Sequence, residues 1–312
     1  MRAVTFHNVV AEPLDLFDRE LWRMPASRFR RAIDLLRRRY EIVSLPDALA
    51  RLDSGDAAPD ALVITFDDGF ANVFDVARPI LAEAGVVASI FVLTDAGAPI
   101  PPSRLLHFER LEIAFRLTQA SSLDVHELGL PPFALSSERE KLTALLRIKR
   151  ALKPLAEPKQ TQIQAQMLLD LEVGEDEIAA FAARFAKYRK LSAHQMRDLA
   201  ADGWTVGGHT RTHRPLSSLG LDQLRDEIGG NFDDLKSAFG WPAVPFAYPY
   251  GSPQLIAGKA RDLVEACGFR CAFTTIVGDN GPGTDRFQLR RFSDMAIIAD
   301  LTVGGIPLVV SS

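Results

Sequence analysis

Residues 62–69 read Leu62-Val63-Ile64-Thr65-Phe66-Asp67-Asp68-Gly69, an apolar run that ends in two adjacent carboxylates. The β-branched and aromatic residues of the run predict a buried strand. Active sites of parallel α/β folds form where such strands reach their carboxyl ends. Two aspartates crowded there repel each other, and burial disfavours their charged forms. We therefore predict that one binds a divalent cation and the other stays unbound as a base, although an aspartate pair by itself is more often a solvated turn.

Two histidines four residues apart, His209 and His213, follow the short apolar run 204–206. Imidazoles at this spacing fall on one side of a helical turn and can reach one ion. With one aspartate they form a three-ligand set that leaves positions open for water and substrate, as hydrolytic sites do. This set suits Zn²⁺ better than Mg²⁺ or Ca²⁺, which prefer oxygen ligands. Such a pair alone is often accidental, but the glycines beside both strand ends indicate a close approach of the backbone.

Three motifs taken together resemble those of the polysaccharide deacetylases, the NodB-homology family. They are Thr65-Phe66-Asp67-Asp68-Gly69, then His209-x-x-x-His213, then Phe246-Ala247-Tyr248-Pro249-Tyr250-Gly251. The motifs occur in the family's order, and the resemblance covers residues 60–97 and 190–295 together with the N-terminal strand. It implies an α/β fold, a deformed, incomplete (β/α) barrel of seven strands. It also implies a carbohydrate deacetylase, an enzyme that hydrolyses an N-acyl group on a sugar with the help of a metal.

The resemblance implies a role for each matching residue. Asp67 would be the general base, and Asp68, His209 and His213 would hold the metal. The backbone N–H of Tyr250 would donate to the oxyanion. Amide hydrolysis needs such a combination of metal, base and N–H donor, so the division of roles makes chemical sense. We expect Zn²⁺, with Co, Ni, Fe and Mn as alternatives.

The third motif departs from the family pattern at Ala247, where members commonly carry an arginine that orients the catalytic aspartate. Asp67 therefore needs a cation from elsewhere. Arg290 and Arg291 are candidates, because alternation along a strand would point one of the two inward. We favour Arg291; the alternative is a solvated arginine at a strand end.

The family's usual C-terminal histidine is also missing, because residues 301–312 contain none. The chain instead begins with an apolar strand, residues 3–10, that carries His7. This resembles a permuted arrangement of some members, in which the N-terminus supplies the last barrel strand. His7 would then close the barrel beside the first-motif strand and protonate the leaving amine, which needs an acid near neutral pH. The alternative is a histidine that caps a buried strand.

The composition fits a single large domain. The chain has 312 residues, of which 47% are hydrophobic, enough to bury one core. Its net charge of −4 gives no reason to expect a nucleic-acid partner. No apolar run approaches the ~18–20 residues that cross a membrane, and the N-terminus does not have the pattern of a secretion signal. These features predict a cytoplasmic location, with Cys267 and Cys271 as thiols.

The periodicity divides the chain into two parts. Residues 1–97 and 190–312 alternate between strand and helix patterns and are predicted to form the barrel. Residues 98–189 are predicted to be a helical insertion, too long for a simple loop. It would serve as a wall of the substrate cleft or as the contact surface of a homo-oligomer. Its helices are predicted at 104–120, 136–152, 158–171 and 174–189. The barrel helices are predicted at 26–40, 72–84, 192–202, 221–239 and 253–267.

We therefore expect a metal-dependent enzyme that removes an N-acyl group, most simply N-acetyl, from an amino sugar or glycan. A cytoplasmic location would favour a nucleotide-linked or lipid-linked sugar as substrate. One alternative is a deformylase, or an amidase on another N-acyl substrate. The other is a carbohydrate-binding pseudoenzyme. The complete set of ligands and base argues against the pseudoenzyme, whereas Ala247 and the missing C-terminal histidine argue for it.

Overall fold

The structure is a computed structural model that describes residues 1–297 apart from 12, 21–22, 56–59, 96–97, 100–103, 242–243 and 257. Residues 301–312, where the family's usual histidine is missing, lie outside the described part of the chain. Within the described residues, no helix has both the length and the apolar character needed to cross a membrane.

The strands and helices are short and alternate along much of the chain. The strands are β1 (Arg2–Phe6), β2 (Asn8–Val10), β3 (Arg23–Pro25), β4 (Glu41–Ile42), β5 (Ala61–Phe66), β6 (Ser89–Val92), β7 (Thr94–Asp95), β8 (Ala98–Pro99), β9 (Ser122–Leu123), β10 (Phe133–Ala134), β11 (Thr205–Gly208), β12 (Phe246–Ala247), β13 (Ala272–Phe273) and β14 (Phe292–Ser293). The helices are α1 (Leu16–Glu20), α2 (Ala26–Arg39), α3 (Leu45–Asp53), α4 (Arg78–Glu83), α5 (His107–Leu117), α6 (Glu138–Leu152), α7 (Glu157–Asp170), α8 (Glu175–Ala183), α9 (Ala193–Ala201), α10 (Leu221–Arg225), α11 (Asn231–Phe239) and α12 (Ala260–Cys267).

The central sheet is parallel and follows the order β13-β12-β11-β6-β5-β1-β14, with β4 also paired to β5. It curls into an incomplete barrel with helices on its outer side, which confirms the predicted fold. The N-terminal strand β1 lies beside the first-motif strand, with Phe6 opposite Phe66. An isolated bridge between Phe273 and Leu289 links β13 to the segment just before β14, so residues 289–293 span much of the remaining gap.

Alternate side chains of the strands form two apolar layers, as the two-residue period of a strand requires. The outer layer packs against the helices and includes Val4, Phe6, Ile64, Phe66 and Ile90. The inner layer fills the lower barrel and includes Ala3, Val63, Phe91, Ala247 and Phe273. The polar residues that follow these strands therefore lie at one end of the barrel, next to its packed apolar interior.

The central segment of the chain packs around a hydrophobic cluster of its own. Helices α5 to α8 contribute most of this cluster, with Phe115, Leu145 and Ile148 at its centre. Arg23 of β3 forms an ion pair with Glu112 of α5 at 2.8 Å, and both side chains are buried. This buried pair ties the helical segment to the N-terminal part of the chain.

Several predicted elements differ from the observed ones. The predicted strand 3–10 is broken at His7 into β1 and β2, and helix 253–267 begins only at Ala260. Two predicted helices contain π-helical segments, Val73–Ala77 and Asp226–Gly230. Such bulges commonly lie at functional sites, and the second one adjoins the histidine motif, as described below.

Candidate active site

Three neighbouring strands bring the two sequence motifs to one end of the barrel. Strand β6 lies between β5 and β11, with Ile90 opposite Phe66 and Val92 opposite Gly208. Asp67 and Asp68 follow β5 directly, and His209 follows β11. Gly208 permits this close packing, because a Cβ there would overlap the side chain of Asn231. The glycine beside the histidine motif therefore has the steric role that the sequence predicted.

Asp68, His209 and His213 form a compact group that could hold a metal ion. One potential ligand atom from each residue lies within 4.8 Å of the other two. Oδ1 of Asp68 is 3.4 Å from Nε2 of His209 and 3.1 Å from Nε2 of His213. Despite this proximity, Oδ1 is buried without a hydrogen-bond partner among the described residues. An orphaned carboxylate oxygen facing two imidazole nitrogens fits a divalent cation.

The ring of His209 is oriented by the backbone of the third motif. Its Nδ1 lies 2.7 Å from the carbonyl oxygen of Ala247, which leaves Nε2 to face Asp68. Ligating histidines are commonly fixed in this way through their second nitrogen. Burial alone lowers the pKa of His209, but Asp68 and Asp67 outweigh it and raise the pKa above its usual value. The surroundings therefore favour positive charge at this position.

The histidine pair does not lie on a helical turn, which corrects the prediction from its spacing. His209 to His213 form a loop in which Thr210 and His213 have left-handed backbones, with φ of 68° and 59°. The backbone N–H groups of Arg211 and Thr212 both donate to Glu227 at 2.9 Å. The loop is thus held by the π-helical segment, a tertiary contact that the local sequence pattern does not reveal.

The two adjacent aspartates point to different partners. Asp68 has a left-handed backbone with φ of 71°, an uncommon conformation for a residue with a side chain. While Asp68 faces the imidazoles, Asp67 forms an ion pair with Arg291, and both of its carboxylate oxygens accept hydrogen bonds of 2.8 Å. The two like charges therefore have different partners, one at the imidazole pair and one at a buried guanidinium.

Arg291 is fully buried inside the barrel. Its guanidinium also donates to the hydroxyl oxygens of Thr5 and Thr65 at 3.2 Å and to the carbonyl oxygen of Thr274 at 2.9 Å. Burial alone raises the pKa of Asp67, but Arg291 more than offsets it and holds the pKa below its usual value. Asp67 is therefore ionised at neutral pH.

Alternation along residues 289–293 explains why Arg291 rather than Arg290 meets Asp67. Leu289 belongs to the inner apolar layer, Arg290 is exposed, and Arg291 points inward again. Ala247 lies in the same inner layer and carries no charge. The structure therefore supplies the cation beside Asp67 from a different segment than the family's third motif.

His7 lies next to Asp67 across the sheet. It directly follows β1, and the backbone N–H of Asp67 donates to the carbonyl oxygen of Phe6 at 3.1 Å. The imidazole is half-buried and lines the same cavity as Asp67 and Asp68. The break between β1 and β2 falls at His7, the residue of this segment that lines the cavity together with Asn8.

Tyr250 completes the group on the opposite side. Its backbone is left-handed, with φ of 61°, and its ring centroid lies 4.8 Å from that of His213. Its carbonyl oxygen accepts a hydrogen bond of 2.9 Å from the hydroxyl of Thr275. Burial, followed by Asp68, raises the pKa of the phenol well above its usual value, and the hydroxyl has no hydrogen-bond partner in the described part of the chain.

These residues surround one cavity of about 400 Å³. Part of its wall comes from the helical segment, in which sequence reasoning identified no site residues. The wall includes Leu106, Phe108, Glu109, Glu112, Lys149 and Lys153. Lys149 lies in the last turn of α6 and Lys153 is its C-cap residue; this four-residue spacing is the signal that the sequence offers for a shared face.

Part of the chain matches a family of known proteins. A family model described as polysaccharide deacetylase matches residues 175–272, which include His209, His213 and Tyr250. The resemblance to the polysaccharide deacetylases is confirmed. The match begins after the first-motif strand, so it does not cover Asp67 and Asp68. Among curated proteins, none matches the chain.

Solved deacetylases share the fold over nearly the whole chain. The Streptococcus pyogenes deacetylase PplD in complex with acetate is 14% identical, with a TM-score of 0.58 over 94% of this chain and 91% of that one. IcaB from Ammonifex degensii is 18% identical, with a TM-score of 0.54 over 94% and 90%. A de-N-acetylase from Aggregatibacter actinomycetemcomitans is 13% identical, with a TM-score of 0.53 over 93% of each chain. At these low sequence identities, the similarity shows a shared fold and nothing more specific.

Proposed function

We propose that this protein is a metal-dependent hydrolase that removes an N-acyl group, most simply N-acetyl, from an amino sugar or glycan. The main supporting observation is that two adjacent aspartates line one cavity but contact different partners. Asp68 faces two imidazoles, whereas both carboxylate oxygens of Asp67 accept hydrogen bonds from a buried arginine. A ligand set and a separate ionised base are what metal-assisted hydrolysis requires.

Asp68, His209 and His213 would hold the metal. The orphaned Oδ1 and the two imidazole nitrogens fit a divalent ion that accepts mixed oxygen and nitrogen ligands, with Zn²⁺ first and Co, Ni, Fe and Mn as alternatives. When bound, such an ion supplies Lewis-acid chemistry, lowering the pKa of water and polarising a carbonyl oxygen.

The remaining steps belong to the chain's own side chains and backbone. Asp67, held ionised by Arg291, accepts the proton of the attacking water. The backbone N–H of Tyr250 donates to the oxyanion that forms on the acyl carbon. His7 gives a proton to the leaving amine, which is too basic to depart as an anion.

A fold relative supports N-acetyl as the acyl group. The similar deacetylase PplD was solved in complex with acetate, the acid that removal of an N-acetyl group releases. This supports N-acetyl over N-formyl. The helical segment 98–189 would act as a wall that shapes the cleft, because several of its side chains line the same cavity as the catalytic groups.

The proposal is tested by release of acid from a panel of amino sugars. The purified protein is stripped with chelator, reloaded with one metal at a time, and incubated with free, nucleotide-linked and oligomeric N-acetyl and N-formyl amino sugars. We expect metal-dependent release of acetate, and none from the Asp67→Asn variant. Release of formate alone would identify a deformylase. Metal-loaded protein that binds these sugars but releases no acid would be a pseudoenzyme.

A further inference from the structure

Helix α6 carries two lysines into the candidate active site. Lys149 lies in its last turn, and Lys153 is its C-cap residue with helical backbone angles, so the two side chains lie on one face of the helix end. The ammonium of Lys149 lies 5.2 Å from the ring centroid of Phe108, and that of Lys153 lies 4.9 Å from the ring centroid of Tyr250. Both side chains are half-buried and line the 400 Å³ cavity. The helical wall thus brings two positive charges to the substrate space.

Neither ammonium forms an ion pair or a hydrogen bond with the residues that the structure describes. The carboxylates that line the same cavity already have close cationic partners. Glu112 pairs with Arg23 at 2.8 Å, and Glu109 pairs with Lys190 at 2.8 Å. Asp67 pairs with Arg291, and Asp68 belongs to the candidate metal site. The two lysines therefore leave positive charge that no neighbouring side chain compensates at close range.

Such an arrangement is unfavourable for the protein alone. Burial of an ammonium disfavours its charged form, and it lowers the pKa of Lys149 to about 8. The faces of Phe108 and Tyr250 offset only part of the lost hydration through cation–π contacts. Charge that is not compensated in the protein but faces a substrate cavity suits a ligand of the opposite sign.

The position of the lysines relative to the metal ligands indicates where that negative charge lies. The ammonium of Lys153 lies 4.9 Å from the ring centroid of Tyr250, and the ring centroid of His213 lies 4.8 Å from the same centroid. Lys153 and the candidate metal ligand His213 therefore lie close to the same aromatic ring. In a 2-acylamino sugar, the anomeric carbon is the direct neighbour of the carbon that bears the acylamino group. A substituent on the anomeric carbon would therefore lie close to the lysines.

We propose that Lys149 and Lys153 bind a phosphate ester that the substrate carries next to its N-acylated sugar. This inference rests on the proposed function and narrows its substrate to a sugar phosphate or sugar diphosphate. Phosphate matches the two ammonium groups better than a single carboxylate does, because it spreads up to two negative charges over three oxygens. Lysine acts as a compact point charge toward phosphate in many binding sites.

A second cavity gives room for whatever group the phosphate links to the sugar. It has a volume of about 890 Å³ and lies next to the first, since Leu106 lines both. Apolar side chains such as Leu168 and Ile178 share its lining with Arg104 and Arg110. A nucleoside or a lipid could continue from the phosphate in this direction, so both are included as arms of the test.

The test compares affinities in the metal-loaded protein by calorimetry. The Asp67→Asn background prevents turnover, and the ligands are N-acetylglucosamine 1-phosphate, UDP-N-acetylglucosamine, a short-chain polyprenyl diphosphate N-acetylglucosamine and the neutral methyl glycoside. The key variant is Lys149→Met with Lys153→Met, since methionine keeps the apolar stem. Lys149→Arg with Lys153→Arg keeps the charge. Lys159→Met on α7 is the matched control, because Lys159 is exposed and lines neither cavity.

We expect the double methionine variant to bind the phosphorylated sugars at least about tenfold more weakly, with affinity for the methyl glycoside within about twofold. The arginine variant should retain most of the affinity, and Lys159→Met all of it. Any binding of phosphate to the metal itself contributes equally to all variants, because every variant keeps the metal ligands. It therefore does not affect the comparison between them. Tighter binding of the nucleotide-linked or the lipid-linked sugar than of the 1-phosphate would identify the attached group.

Equal affinity of the parent and the double methionine variant for all three phosphorylated sugars would overturn the inference, whatever the rate of hydrolysis. The proposed function fails differently. If the lysines govern phosphate binding but the protein with Asp67 intact releases no acid from any sugar, the phosphate site stands and hydrolysis is excluded.

Discussion

Arg291 and Asp67, which are 224 positions apart in the sequence, form a buried ion pair with two hydrogen bonds of 2.8 Å. The aspartate follows the first-motif strand, whereas the arginine belongs to the segment that spans the gap in the barrel. Two threonine hydroxyls and a backbone carbonyl fix the guanidinium in turn. The direction of the candidate base is therefore set by a cation that the family's third motif does not supply in this chain.

Arg291→Met should lower kcat by about a hundredfold, because a base displaced by an ångström loses most of its effect. It should also change the pH profile. In the wild type, the arginine keeps the pKa of Asp67 low, so activity falls only at acidic pH. Without it, burial raises this pKa, and the acidic limb of kcat/KM should move to higher pH. Arg290→Met, at an exposed neighbour, is the control. An acidic limb that stays in place would show that Arg291 does not act through Asp67.

The two adjacent aspartates should respond differently to substitution. Asp67→Asn should abolish turnover but retain metal, whereas Asp68→Ala and His213→Ala should lose metal. Substitution of residues that merely support a ligand typically costs about 10–100-fold in metal affinity, so loss of a ligand should cost at least that much. Elemental analysis after dialysis measures the difference. Equal metal loss in Asp67→Asn and Asp68→Ala would contradict the division of roles.

Two substrates with different leaving groups can distinguish a role of His7 as proton donor from a general structural effect of its substitution. His7→Ala should lower kcat on an N-acetyl amino sugar by about a hundredfold or more, because the amine must leave protonated. The same variant should hydrolyse 4-nitrophenyl acetate within about threefold of wild type, since nitrophenolate leaves without a proton. His194→Ala, at an exposed histidine of α9, should change neither rate. Parallel loss on both substrates would point to a structural role instead.

Phosphate binding should depend on pH through Lys149. Burial lowers its pKa to about 8, so the ammonium is charged below that pH and neutral above it. Affinity for N-acetylglucosamine 1-phosphate should therefore fall as pH rises from 7 to 9, while the phosphate, with a second pKa of about 6, stays ionised. In Lys149→Arg the fall should be smaller. The charged groups that act on Lys149 are Glu112, Lys153, Arg23 and Glu109. Identical pH profiles for the two proteins would refute this assignment.

The buried ion pair between the two parts of the chain should matter for stability. Glu112 accepts hydrogen bonds from Arg23, Arg116 and Tyr188, all within 3.0 Å. Glu112→Ala leaves buried cations without this partner and should lower the free energy of unfolding by about 3–5 kcal/mol. Asp222→Ala removes a surface pair with Arg225 and should change it very little. Urea titration of both variants checks the contrast, and equal stability would show that the pair is not important.

Local patterns in the sequence predicted the barrel because strand and helix periods alternate there, and chemistry at the strand ends marked Asp67, Asp68 and the two histidines. Alternation also singled out an inward arginine in the pair Arg290 and Arg291. The same reasoning placed the histidines on a helical turn. It failed because Glu227 holds that loop from another element. The lysines of α6 were missed for a related reason, since helical periodicity identifies a face but not what the face covers.

The helical wall has a consequence for how this protein and its relatives could diverge. The groups proposed to break the bond follow strands or lie in loops. Lys149 and Lys153 instead belong to the end of α6, in the helical segment that has a hydrophobic cluster of its own. Grafting a different α6 surface should thus redirect the enzyme to another glycan while leaving the reaction intact. Selectivity in this architecture can drift without disturbing catalysis.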